Sequence, residues 1–338
     1  KQLPPAYFAL VMATGIISIA AHDIGLFALA SALFALNIAA FVVLVVLTGL
    51  RLALYPRLVL ADLTDHLVGP GFFTIVAACS ILGTQLFLMA HDLTGAIAML
   101  ALGIVLWVGL TYTIFTAFTV KRRKPPLEEG LTGAWLIAVV ATQSIAVLAA
   151  LVARDWPQPW RLELNFFALS MWLWGGMFYI WIISLIFYRY SFFAFSPGDL
   201  SPPYWINMGA MAISTLAGAR LIENVAAAPF LASLLSFLKG FTVFYWATGT
   251  WWIPMLLVLG VWRHVIERFP LRYDPLYWGA VFPLGMYTVA TREMASALDL
   301  PFLVPLLAVA FAVALAAWAL TFFGLVSELA GLLLPRRA

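Results

Sequence analysis

Charge is what this chain has least of. Of its 338 residues 10% are Asp, Glu, Lys or Arg and 64% are hydrophobic, whereas a soluble domain carries about 25% charged residues. Too few polar groups are present to cover a water-facing surface, which excludes a soluble globular fold. Cys79 is the single cysteine, so neither a disulfide framework nor a thiolate metal cluster is available. An HExxH pair, a phosphate-cradling glycine loop and an aspartate-rich magnesium cluster are also missing; no catalytic residue, metal or cofactor is expected. The nearest approach to a metal cluster, His66 beside Asp62 and Asp65, reads as a solvated helix start. A net charge of +3, 18 basic minus 15 acidic residues, implies no nucleic-acid partner. Residues 1–5 lack a basic region leading into a cleavable small-residue site, so the first apolar segment is expected to be structural.

Long apolar runs, in contrast, recur to the end of the chain. Windows of about 20 residues, the length that crosses a bilayer, predict ten transmembrane helices at 5–21, 27–50, 68–90, 95–120, 131–153, 166–188, 203–222, 241–262, 275–297 and 302–326. The expectation is one all-α polytopic domain over residues 1–338, embedded in the lipid bilayer of the cell's inner membrane. Thirteen of the 18 basic residues fall between spans on one side, including Lys1, Lys121 to Lys124, Arg336 and Arg337, and five on the other. The positive-inside rule then puts both termini in the cytoplasm. Short turns at Ala21 to Gly25 and Ala90 to Gly95 join spans on the outer side, so the helices form hairpins, and the His-Asp pairs of these turns read as helix caps.

An internal repeat supports five such hairpins. Aromatic residues near the start of the odd spans, Phe8, Phe73, Trp135, Trp205 and Trp278, are separated by 65, 62, 70 and 73 residues, and four of the five follow proline closely. Even spans such as 41–47 are aliphatic and suit lipid, while odd spans carry small and weakly polar residues such as Gly15, Ser80, Thr142 and Asn207, which mark buried helix faces. Odd helices are therefore expected inside and even ones outside.

Steps of three or four residues stay on one helical face. Four residues past each marker come Met12, Ala77, Val139, Gly209 and Phe282; seven past come Gly15, Ser80, Thr142, Ala212 and Gly285, all small. If the five odd helices ring one axis, these residues line a central pore and Phe282 plugs it. The following Pro283 deprives the Gly279 carbonyl of its helical partner and bends the helix where the ring projects. Close helix packing explains the small residues as well for any one helix. Five helix N-termini at the cytoplasmic mouth favour anions. Arg220, Glu223, Arg292 and Glu293 lie near the outer ends, either as vestibule or proton-coupling charges or as neutralising salt bridges.

The opening Pro5-Ala6-Tyr7-Phe8-Ala9-Leu10-Val11-Met12-Ala13-Thr14-Gly15-Ile16 and the Trp278 to Leu284 segment resemble the tellurite-resistance/dicarboxylate transporter family. The resemblance covers nearly the whole chain. It implies a homotrimer whose subunits each have a pore along a pseudo-five-fold axis, gated by a phenylalanine of the ninth helix, which corresponds to Phe282 in its Phe-Pro-Leu setting. The pore-flanking glycine of the first helix corresponds to Gly15. Members include passive channels for small anions and proton-coupled C4-dicarboxylate carriers. Selective anion permeation is the leading expectation, a proton-coupled dicarboxylate transporter the first alternative, and a membrane-embedded enzyme or sensor an alternative of another kind.

Overall fold

A computed structural model describes residues 3–333; Lys1, Arg336 and Arg337 of the basic-residue count lie outside them. Ten long helices follow one another: α1 (Ala9–Asp23), α2 (Phe27–Leu54), α3 (Phe73–Met89), α4 (Leu93–Val120), α5 (Ile137–Asp155), α6 (Trp160–Phe192), α7 (Ile206–Glu223), α8 (Leu235–Val261), α9 (Trp278–Leu298) and α10 (Val304–Leu333). No strand occurs among the described residues.

Each odd-numbered helix is entered through a short 3₁₀ turn: Pro5–Phe8, Gly69–Phe72, Gly133–Leu136, Pro202–Trp205 and Pro275–Tyr277. Proline sits in the first two positions of four of these, where no intrahelical donor is needed and its fixed φ suits the turn. The third has none; there Thr132 caps the start, its hydroxyl accepting from the Ala134 amide at 3.3 Å. Asp274 reinforces the fifth by accepting from the Leu276 amide at 2.7 Å.

Odd helices have 15 to 21 residues and even ones 27 to 33. The short helices pack in a closed ring in chain order, α1 on α3, α3 on α5, α5 on α7, α7 on α9 and α9 back on α1, and each carries the following even helix on its flank. Burial divides accordingly: the apolar window of Gly133–Asp155 is 100% buried and that of Leu93–Val120 only 17%. The exposed face of the even helices is Val, Leu and Phe, as at Val42, Val43, Val46 and Leu47 of α2, the composition that lipid accommodates.

Eight helical segments are long and apolar enough to cross a membrane, two fewer than the sequence windows suggested. The exceptions are α7 and α9, diluted by Asn207, Ser214, Thr215, Arg220 and Glu223 in one and Thr288, Thr291, Arg292 and Glu293 in the other. These are ring members, and their hydroxyls find internal partners: Ser214 and Thr215 donate to the Ala210 and Met211 carbonyls at 2.7 and 2.9 Å, and Thr291 accepts from the Trp246 indole at 2.9 Å.

Buried guanidinium groups hold the ring's entry segments in place. Arg189, near the end of α6, donates to the Glu128 carbonyl at 3.0 Å, to the Tyr204 hydroxyl and to Asp199 at 3.2 Å. One side chain thereby joins the starts of the third and fourth hairpins. Arg51 does the same for the first, donating to Asp62 at 2.6 Å and to the Leu3 carbonyl at 2.9 Å. Asp62 is thus an ion-pair partner, Asp65 accepts from the Leu67 and Val68 amides at 2.8 and 3.0 Å, and His66 stacks on Phe118 at 4.2 Å.

The two His-Asp turns differ from each other. Asp92 caps α4, accepting from the Gly95 amide at 2.9 Å. Asp23 makes no such cap and instead pairs with Arg292 of α9 at 3.0 Å.

Candidate functional site

Two cavities lie along the axis of the ring. The larger, about 340 Å³, is walled by the entry segments and first turns of all five inner helices; its deepest wall residues are Ala9, Thr74, Ile137, Ile206 and Gly279. The smaller also takes residues from all five helices and leaves about 10 Å³ open to the centre of a water molecule, on the order of one ordered water. Ile16, Ser80, Ser144, Ile213 and Met286 stand at its near end, and Arg220 lines it further along α7.

Helical spacing identifies what separates them. Three residues beyond the larger cavity and three or four before the smaller, on one helical face, come Met12, Ala77, Val140, Gly209 and Phe282. All five are buried, Phe282 with 1% of its surface exposed. Phe282 is the one aromatic of this layer, opposed by two small residues and two of moderate size. The helix runs unbroken through Pro283, whose ring lies against Gly209 of α7; a Cβ there would stand 2.6 Å from Pro283 Cγ. Gly209 therefore admits the proline, next to the buried Phe282.

By helical spacing Val140 rather than Val139 falls in this layer, because Ile137, the α5 residue lining the larger cavity, lies two positions past the Trp135 marker while on the other four helices the lining residue lies one past. Of the residues expected one turn further, only Ser80 lines the smaller cavity. Gly15 lies where α1 meets Ile81, Asn37 and Gln85, and a Cβ there would stand 2.4 Å from Ile81 Cγ2. Gly285 meets Ile16 and Ile17 of α1 in the same way, at 2.7 and 2.9 Å. Ala212 sits where Gly249 of α8 comes close. The Thr142 hydroxyl is turned outward, accepting from the Trp107 indole and donating to the Ala138 carbonyl, both at 2.8 Å. Small residues thus serve the contacts between helices, while the first ring of the cavity holds the bulkier Ile16, Ile213 and Met286. Sequence reasoning missed these three, which lie eight residues past the markers Phe8, Trp205 and Trp278, one position beyond the set of small residues.

The outer-end charges do converge. Arg220 Nη1 donates to Glu223 at 2.9 Å and to Glu293 of α9 at 2.8 Å, and Arg292 Nη1 lies 3.0 Å from Asp23 of α1. Asp23, read from the sequence as a turn residue, completes the group. Its signal was its place at the end of an inner helix, level with the end of α9.

A closed ring of buried helices, a lipid-compatible outer shell and cavities on either side of a one-residue-thick layer define a multi-pass membrane protein of the transporter and channel class. The chain matches the family described as SLAC1, voltage-dependent anion channel, over residues 2–326, and it belongs to that family, in keeping with the resemblance carried by its first and ninth spans. It is 41% identical over 152 residues to an uncharacterized membrane protein of Mycobacterium tuberculosis, covering 45% of this chain and 77% of that one. Over 306 residues it is 24% identical to an uncharacterized transporter of Methanocaldococcus jannaschii, covering 86% and 83% of the two chains. A sulfite efflux pump of Arthroderma otae is 23% identical over 312 residues, 86% of this chain and 81% of the pump.

Proposed function

We propose that the protein carries anions across the membrane along the axis of its inner ring, and that Phe282 is the side chain that closes the path. The observation that carries this reading is the position of Phe282, the one aromatic in the buried layer between two axial cavities. All ten helices span the bilayer in this arrangement, α7 and α9 shielded from lipid by their neighbours, around a pseudo-five-fold pore. Both termini face the cytoplasm, so the larger cavity opens inward and receives the N-terminal ends of five helices, whose partial positive charge favours anions. The wall is otherwise weakly polar, which suits passage over tight binding. Small inorganic anions or C4-dicarboxylates are the substrates, consistent with the sulfite named for the fungal relative, and three such chains assemble with a path in each.

Purified protein in liposomes tests the reading. Wild type is expected to pass nitrate or succinate slowly and Phe282→Ala at least about tenfold faster, the equivalent of about 1.4 kcal/mol off the barrier. A folded Phe282→Ala with wild-type flux would remove Phe282 from the path. The clustered carboxylates at the far end favour a second reading, proton-coupled transport. Under it, uptake follows an inward proton gradient and Glu293→Gln abolishes that dependence.

A further inference from the structure

The far end of the smaller cavity holds an arrangement that a purely passive apolar path does not need. Arg220 lines that cavity with 8% of its surface exposed, and its Nε has no hydrogen-bond partner. Its Nη1 is claimed twice, by Glu223 at 2.9 Å and by Glu293 at 2.8 Å. The second guanidinium of the group, Arg292, is paired with Asp23 at 3.0 Å. Three carboxylates therefore face two guanidinium groups, an excess of one negative charge where burial makes an unbalanced charge costly. Ser80 also lines this cavity, and its hydroxyl, which lies beside Gly103 of α4, is buried without a partner.

We propose that Arg220 is the anion-coordinating residue of the axial path and that Glu293 is the group an anion displaces from it. The inference rests on the transport reading above. An anion that has passed Phe282 meets the free Nε edge of Arg220. Glu223 and Glu293 already occupy Nη1, so their charge opposes the anion until one of them takes up a proton or withdraws. Glu293 is the one that decides, because its side chain is 13% exposed against 26% for Glu223, which can turn toward solvent. The charged groups facing Glu293 are Arg220 and Glu223 from α7, Asp23 from α1 and Arg292 beside it on α9, with His22 3.9 Å from Asp23. Acid thus favours anion coordination by protonating a member of an over-supplied carboxylate group. A guanidinium edge donates two parallel N–H bonds, which favours carboxylates and oxyanions over spherical halides.

The test uses Phe282→Ala as background, so that the path is open whatever holds the far end. Nitrate and succinate flux into liposomes is measured at about pH 5.5 and about pH 7.5. Flux is expected to be faster at the acid value, and adding Glu293→Gln should make it fast at both. Removing Arg220 alone would leave the Glu293 carboxylate without its guanidinium partner beside Glu223, so the balanced pair Arg220→Gln with Glu293→Gln is used. It should lose at least about tenfold of the flux, the scale of one charge-assisted hydrogen bond, and its preference for nitrate over chloride. A balanced pair that conducts like its Phe282→Ala parent with unchanged selectivity overturns the proposal and leaves the transport reading intact. If Phe282→Ala passes no anion, the transport reading fails, and the anion site is decided separately by thermal stability in detergent. Stabilisation by sodium nitrate or sodium succinate that disappears in the balanced pair supports an Arg220 site; equal stabilisation of both proteins overturns it.

Discussion

At the scale of single residues, the meeting of Pro283 with Gly209 fixes α9 against α7 beside Phe282, the residue proposed to close the path. A proline inside a helix costs a hydrogen bond, and here its ring fills the space that an absent side chain leaves on α7, 2.6 Å from where a Cβ would stand. Gly209→Ala is expected to destabilise the protein by about 1–3 kcal/mol, as overpacking does, because a pyrrolidine ring cannot rotate away. The melting temperature of the purified variant in detergent reads this directly. Thr142 makes the opposite case. Its hydroxyl is bonded to the Trp107 indole at 2.8 Å and faces α4, so Thr142→Val should cost about 1 kcal/mol of stability and leave anion flux and selectivity unchanged. A changed selectivity would return Thr142 to the path. Both residues looked alike in the sequence, as small or weakly polar members of an inner helix. Composition marks burial, and only register tells whether a buried face meets an axis or a neighbour.

At the scale of elements, the entry turns were legible. Proline at the first helical positions has one physical meaning, a chain start that needs no donor, and it marked four of the five inner helices correctly. The third start was harder because Thr132 does the same work with a hydroxyl cap, and Ile137 lines the larger cavity two positions past Trp135 rather than one, which brings Val140 in place of Val139 into the layer. Interactions between hairpins were not legible, since a lone arginine at a helix end reads as a membrane anchor. Arg189 is instead buried and joins two hairpins. Its partner Asp199 is pulled two ways: burial opposes its ionisation, but hydrogen bonds from the Ser196 hydroxyl and amide, together with Arg189, outweigh this and hold its carboxyl below the usual range. The ionised form therefore contributes stability that is present above the ordinary carboxylate range and is lost as pH falls through the lowered value. Melting temperature should fall on acidification through that interval, and Asp199→Asn should flatten this part of the profile. An unchanged acid limb would show that Asp199 does not hold the loop.

At the scale of the whole molecule, the two-shell plan follows from how each helix spends its polarity. Even helices are apolar on the outside and long, and the sequence shows them plainly. Inner helices α7 and α9 are too polar to register as spans by hydropathy, yet they complete the ring, with hydroxyls such as Ser214, Thr215 and Thr291 bonded within it. The convergence of Asp23, Arg220, Glu223, Arg292 and Glu293 unites three helices that are distant in sequence, and no local pattern announces it. The result is a ring with a wide cavity at the helix N-termini, a narrow one beyond a buried layer, and charged groups at the far end; in the proposed function these form one path. Single-channel or macroscopic anion current in planar bilayers for wild type, Phe282→Leu and Phe282→Ala, with Met12→Ala as control, tests the closing role of Phe282 most directly. Conductance should rise as the side chain at 282 shrinks, with Phe282→Ala the largest and Met12→Ala well below it. Equal currents across the 282 series, or a larger current from Met12→Ala, would contradict it.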